Sequence, residues 1–209
     1  MSYAAECVIG EKSFNISWGR YIIRITFIVI SFYILNFIII QVKNATAIQQ
    51  YAFEKVMKDS LTGVYNRNMF EEVFKGQVAH TLSQVCVMID VNEMKEINDN
   101  YGHPAGDHVL RNLGNILIKN IRQSDICIRY GGDEFFILFN KININDCQKI
   151  IDRIIKIINL KSIYIEDKQI HFSISYGIFQ IEKGMPYDKA LVEVDKLLYE
   201  CKKKNKSNQ

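Results

Sequence analysis

Residues 126–139 read ICIRYGGDEFFILF. Two runs rich in Ile, Tyr and Phe, residues 126–130 and 135–139, flank Gly131-Gly132. That pattern predicts a β-hairpin whose glycines supply positive φ without steric cost. Two acids, Asp133 and Glu134, follow the turn in an otherwise apolar stretch. Upstream, residues 85–90 (VCVMID) form a second short β-rich run that also ends in a carboxylate, Asp90. Ligands collect at the carboxyl ends of strands in α/β sheets. If the hairpin lies beside this strand, Asp90 and Asp133 can share a divalent cation. Hard oxygen donors of this kind suit Mg²⁺, which takes a few carboxylates together with substrate phosphates.

Around these strands the apolar period changes to that of helices. Residues 67–80 carry Phe70, Val73, Phe74 and Val78 on one face. Val109, Leu110, Leu113, Ile116, Leu117 and Ile121 mark a long amphipathic helix, and residues 146–160 another. Residues 171–181 alternate like a strand. Residues 186–203 close as a helix begun by Pro186, with Ala190, Leu191, Val194, Leu197, Leu198 and Cys201 inward. Residues 102–107 (GHPAGD) read as a compact turn into the long helix, where Asp107, with Asn98, can hydrogen-bond a purine edge. The expectation is an α/β domain over residues 59–209, a central sheet flanked by helices. Each polar feature also has an ordinary use: a solvated strand end, turn chemistry, or helix caps. Their combined order and spacing outweigh those uses.

Composition bounds the alternatives. The chain has 209 residues, 48% apolar and 23% charged, with 2 Pro and 11 Gly, which excludes a disordered or collagen-like protein. A net charge of +3 is too small to imply a nucleic acid polymer as partner. Five scattered cysteines without a C-x-x-C pair suggest neither a zinc site nor a disulfide framework. Reduced thiols in a cytosolic domain are the simplest reading.

The apolar content is concentrated near the N-terminus. Residues 21–42 (YIIRITFIVISFYILNFIIIQV) contain one charge, Arg24. As a helix this segment is about 33 Å long and matches a bilayer core of roughly 30 Å. Trp18 and Tyr21 suit the interface, Arg24 can snorkel, and Asn36 can bond to a second copy of the helix. A buried core helix and a cleaved signal peptide ending near Ala45-Thr46-Ala47 are the competing readings. Uniform apolarity and the length of the run favour a membrane span. The organisation expected is a short extracytoplasmic segment (1–20), too short for a folded sensor, a transmembrane helix (21–42), a helical linker (43–58) and the catalytic domain (59–209). Ile48, Tyr51, Ala52, Lys55 and Val56 give the linker a rough helical seam. The flanking charges do not orient the span.

Arg129-Tyr130-Gly131-Gly132-Asp133-Glu134-Phe135 resembles the signature of GGDEF-domain diguanylate cyclases. Residues 59–67 (DSLTGVYNR) are similar to that family's opening motif, and residues 90–107 resemble its central motif, with Lys95, Asn98 and Gly102-His103. Val194-Asp195, Leu198-Tyr199 and Lys202 look like its closing helix. The resemblance spans about residues 55–206 in four ordered blocks. It implies an α+β palm like that of nucleotide cyclases, and condensation of two GTP into cyclic di-GMP with release of two pyrophosphates. It implies a homodimer, each domain holding one GTP. Asp90 and Asp133 would hold Mg²⁺ (or Mn²⁺ in its place) with the Val91 carbonyl, and Glu134 would be a further ligand or help activate the 3′-hydroxyl. Asn98 and Asp107 would read guanine. Lys95 and Lys202 would clamp the β- and γ-phosphates, the backbone of Glu93 and Met94 would cradle them, and Gly131 and Gly132 would let the backbone approach the nucleotide.

Departures from the family pattern lie at Asn92, Glu93 and Met94, where many relatives carry an acid, a variable residue and Phe. Activity is expected to survive them, because Asp90 and Asp133 are intact. Asn205-Lys206 stands where Gly-Arg is common, and Lys206 keeps the charge without the bidentate fork. Arg122 and Asp125 form an R-x-x-D, a pattern that roughly one chain in two of this length contains by chance. Its place before the hairpin matches the family's inhibitory product site, so cyclic di-GMP is expected to bind there; a helix-end ion pair is the plainer use. Because GTP is cytosolic, the resemblance places the domain inside a bacterial cytoplasmic membrane and the N-terminus outside. The rivals are a silent nucleotide receptor, a cyclase of altered base choice, and a dimerising membrane scaffold.

Overall fold

The computed structural model describes residues 3–79, 83–165 and 168–207, and divides into two units, Met1–Lys55 and Val56–Gln209. The described residues of the first belong to helix α1 (Tyr3–Met57). Residues Trp18–Met57 include a run apolar and long enough to cross a membrane, and none of it is buried. Phe27 and Tyr33 are 72% and 70% exposed. Asn36 donates its amide to the Phe32 carbonyl at 2.9 Å, one turn back in the same helix. Ile48, Tyr51 and Val56, the expected seam, are exposed.

The second unit is built on a five-stranded sheet of order β1-β3-β4-β2-β7: β1 (Tyr65–Asn66), β3 (Ile126–Arg129), β4 (Glu134–Asn140), β2 (Gln84–Val91) and β7 (Ile174–Ile181). All pairings are antiparallel except β1 with β3. The remaining elements are α2 (Arg67–Val73), α3 (Met94–Tyr101), α4 (His103–Asn120), α5 (Ile144–Leu160), α6 (Tyr187–Ser207) and a separate hairpin of β5 (Ile163–Ile165) and β6 (Lys168–Ile170).

Strand β2 lies between β4 and β7 and is buried along its whole length. Side chains alternate across a strand. Val85, Val87 and Ile89 therefore join the core with α4 and α5, while Cys86 and Met88 join the opposite core with α2 and α6. Burial on both faces explains why the strand reads as a continuous apolar run rather than an alternating one. The same parity puts Asp90 on the α6 side. Helix α6 lies close against β7 at Gly177, where a Cβ would meet the Val194 carbonyl oxygen and the Leu198 nitrogen at 2.5 Å.

The structure changes several expectations. Helix 67–80 stops at Val73, because Gly76, at φ +71°, turns the chain and the Lys75 N–H bonds back to the Phe70 carbonyl at 3.0 Å. Val78 is therefore off the helix and 37% exposed, and His80 lies outside the described residues. Residues 102–107 are not a separate turn. Gly102, at φ +83°, is the joint between α3 and α4, and Pro104 sits in the first turn of α4. The strand expected over 171–181 begins at Ile174; Ser173 instead accepts the Asn92 N–H at 2.9 Å. On α6, Leu197 is 36% exposed rather than inward. Gly131 and Gly132 form the hairpin turn without positive φ.

Candidate active site

Register brings the acids together. Asp90 pairs with Glu134 across β2 and β4, and the Val91 N–H donates to the Asp133 carbonyl at 3.3 Å. Asp90 is 6% exposed. From the helix side Lys202 places Nζ 2.7 Å from Asp90 Oδ2. Burial pushes the Asp90 carboxyl up, Lys202 pulls it back, and Asp133 adds to the rise, leaving it above the usual range. Glu134 is raised as well, first by burial and then by Asp90 and Asp133. Three carboxylates thus share one neighbourhood, with Lys202 as the cation acting on both Asp90 and Glu134.

The turn is shaped for this crowding. A Cβ at Gly131 would lie 2.5 Å from Glu134 Oε2, whereas one at Gly132 would meet nothing within 4 Å. Close approach of side chain to backbone, not φ, demands Gly131. Arg129 holds the turn from below. Its guanidinium donates to the Gly132 carbonyl at 2.7 and 3.1 Å and to both Asp59 oxygens at 3.1 and 3.2 Å. Asp59 also accepts from the Thr62 N–H at 2.9 Å and the Thr62 hydroxyl at 2.6 Å. Burial raises its pKa, but the Thr62 bonds and the Arg129 charge outweigh it and hold the carboxyl below the usual range.

An open groove of about 680 Å³ lies over the strand ends, lined by Asp90, Val91, Asn92, Glu93, Met94, Lys95, Glu96, Asp133, Lys202 and Asn205. Glu93, at φ 57° and ψ 26°, makes the left-handed turn that starts α3. The first-turn N–H groups of Met94, Lys95 and Glu96 have no partners within the helix and are available to an anion in the groove. Asn98 lies beside the groove rather than in its lining, its amide oxygen against the Cα of Gly106, immediately before Asp107. Lys95 and Asp107 are exposed. The side chain of Lys206 lies outside the described residues.

The Asn92 amide is held at both ends. It donates to Ser173 Oγ at 2.8 Å and accepts from Ser175 Oγ at 2.7 Å. Asp125, expected in a ligand site, is buried and used by the fold. It accepts the Arg122 N–H at 2.9 Å and the Asn140 N–H at 3.1 Å. Arg122 is exposed and lines a second groove of about 550 Å³ with Ser83, Lys141 and Asp146.

Among the described residues, no three His, Cys, Asp or Glu side chains converge as a complete metal cage. The donor set at Asp90 and Asp133 fits a hard cation that completes its shell with backbone, water and phosphate oxygens. Asp59, Thr62 and Arg129 stand in the quoted motifs without an assigned role there, and Ser173 and Ser175 are not singled out by the sequence. The Asp59-x-x-Thr62 spacing hints at a local cap, but Arg129 lies 70 residues away.

Acids on paired strand ends, a lysine from a facing helix and the first turn of α3 surround one groove of an α+β domain. Residues 56–208 match the family described as "Diguanylate cyclase, GGDEF domain", and the chain belongs to that family. It is similar to diguanylate cyclase DosC of Escherichia coli K12, 32% identical over 186 residues, covering 81% of this chain and 40% of DosC. Diguanylate cyclase A of Treponema denticola is 37% identical over 133 residues, 63% of this chain and 35% of that one. The chain thus spans less than half the length of these relatives. The coiled coil and GGDEF domain of DgcB from Caulobacter crescentus, solved with c-di-GMP, superposes with a TM-score of 0.67, covering 78% of this chain and 89% of that one; at 19% identity the likeness is of fold.

Proposed function

We propose that this chain is a membrane-anchored diguanylate cyclase that condenses two GTP into cyclic di-GMP and two pyrophosphates. The observation that carries the reading is the groove where Asp90, Asp133, Lys202 and the start of α3 converge. In each half-reaction a ribose 3′-oxygen forms a bond to the α-phosphorus of the other nucleotide. Pyrophosphate leaves with the electrons of the broken P–O bond, and the hydroxyl proton passes to a base. Glu134 suits that base, because a carboxyl raised above its usual range is a better proton acceptor near neutrality.

Asp90, Asp133 and the Val91 carbonyl would hold Mg²⁺, or Mn²⁺ in its place. When bound, the ion neutralises phosphate charge and polarises the attacked phosphorus. The first-turn N–H groups of α3, with Lys95 and Lys202, receive the β- and γ-phosphates. Asn98 and Asp107 bond the guanine edge; adenine lacks the donors that Asp107 accepts. The open side of Gly132 lets the nucleotide approach the backbone.

Two half-sites must face each other, so a homodimer is the active form. The apolar run of α1 anchors it in the bacterial cytoplasmic membrane and raises the local concentration of partners. GTP puts residues 59–209 on the cytoplasmic side. Cyclic di-GMP returns as inhibitor at the exposed Arg122, where Asp125 fixes the turn that presents the guanidinium.

Incubating the whole chain in detergent with GTP and Mg²⁺, beside Asp133→Ala, tests the reading by product mass. Cyclic di-GMP from the wild type alone supports it. GTP binding without product, at concentrations where dimers form, would instead make the chain a nucleotide receptor. Product inhibition unchanged in Arg122→Ala would remove the regulatory part.

A further inference from the structure

Two departures from the family pattern, Asn92 and Asn205, lie 113 positions apart in the chain and meet through one hydroxyl. Asn205 Nδ2 donates to Ser175 Oγ at 3.1 Å, and Ser175 Oγ donates to Asn92 Oδ1 at 2.7 Å. Asn92 in turn donates to Ser173 Oγ at 2.8 Å. Ser175 is fully buried, and Asn92 and Asn205 both line the groove. The relay ties the last turns of α6 to the end of β2.

A second polar tie between these ends is Lys202 to Asp90. The two ties differ in kind. A cation arriving at Asp90 competes for the same oxygen and repels the ammonium. The Lys202 tie therefore opens when substrate enters, just when Lys202 is needed elsewhere in the groove. The neutral relay through Ser175 carries no charge to be repelled and persists.

We propose that Asn205 is a positioning residue: acting through Ser175 and Asn92, it holds the end of α6 so that Lys202 stays over the phosphates once a nucleotide-bound cation takes Asp90. The inference rests on the cyclase reading for its substrate. It makes Asn205 a determinant of nucleotide affinity that acts through Lys202.

The test is equilibrium binding of a non-hydrolysable GTP analogue, with Mg²⁺, to the full chain in detergent. It compares wild type, Asn205→Ala, Lys202→Ala and the double variant. Asn205 is exposed apart from its one arm, so its truncation leaves the fold intact. Loss of one hydrogen bond's worth of positioning weakens binding about fivefold. In the Lys202→Ala background the same change weakens it no further. Without metal or nucleotide, hydrogen exchange of the last α6 amides is faster in Asn205→Ala. Wild-type affinity in Asn205→Ala, or a full fivefold loss repeated in Lys202→Ala, overturns the proposal. A chain that shows the expected cycle but makes no cyclic di-GMP defeats the cyclase reading and leaves the relay standing. Turnover with additive losses does the reverse, and absence of any GTP binding overturns both.

Discussion

Asp59 and Asp90 both face a basic side chain, yet the two corners of the domain treat them oppositely. Asp59 receives two bonds from Thr62 and two from Arg129, and its carboxyl is held below the usual range. Asp90 is more deeply buried, has Lys202, and shares its space with Asp133 and Glu134. Its carboxyl is raised. A carboxylate that serves the fold is supplied with donors until its charge is favourable. The acids over the groove are left short of positive charge, which is the condition under which a hard cation and its phosphates bind.

The strongest way to break this comparison is to remove an acid that lines the groove. Asp133→Ala is expected to lower cyclic di-GMP formation by more than about a hundredfold, with the unfolding midpoint near that of wild type. A large loss of stability instead would place Asp133 with the structural acids. Asp59→Ala should behave in the opposite manner. It leaves Arg129, 17% exposed, without its carboxylate, and should cost about 2–3 kcal/mol in urea unfolding. Activity then falls because the Gly132 carbonyl loses its anchored donor.

A subtler effect follows from linkage. A carboxyl whose folded pKa is raised binds protons more readily in the native state, so its contribution to stability falls as pH rises above the unfolded value. For Glu134 that begins near 4.5, and for Asp90 near 3.8. Metal-free Glu134→Gln should therefore melt higher than wild type at pH 7, and the gain should vanish as pH falls through 4.5. Asp59, with a lowered pKa, has the reverse sign: its stabilisation is complete above 3.8 and is lost as pH falls below. An Asp59 variant whose deficit does not shrink in acid would contradict the comparison. The smallest structural effect belongs to Gly132→Ala. With open space at its Cβ, stability should change by less than about 0.5 kcal/mol while GTP affinity falls.

Much of the acidic corner was legible in the chain. Strand β2 ending in Asp90 and the hairpin carrying Asp133 and Glu134 are local patterns, and adjacent pairing brings their acids together. The start of α3 was missed because residues 92–101 are polar and carry no long apolar period, although Ile97 is buried. The reading of Gly131 by φ was wrong in its reason, because the crowding comes from Glu134, three residues on and folded back across the turn. Hairpin β5–β6 and the short β1 were invisible for want of length.

The sequence by itself determined the family, the alternation of helices and strands, the apolar run of α1 and the acids over the groove. Each is written in residues close together along the chain, where periodicity and turn chemistry act. Only the tertiary structure decided which acids are saturated and which are left wanting. The same folding buried Asp125 and set it to accept the Arg122 and Asn140 N–H groups, and it joined Asn92 to Asn205 through Ser175. Those outcomes depend on partners brought from distant strands and helices, and charge, burial and hydrogen-bond supply at a point in space have no local signature in the chain.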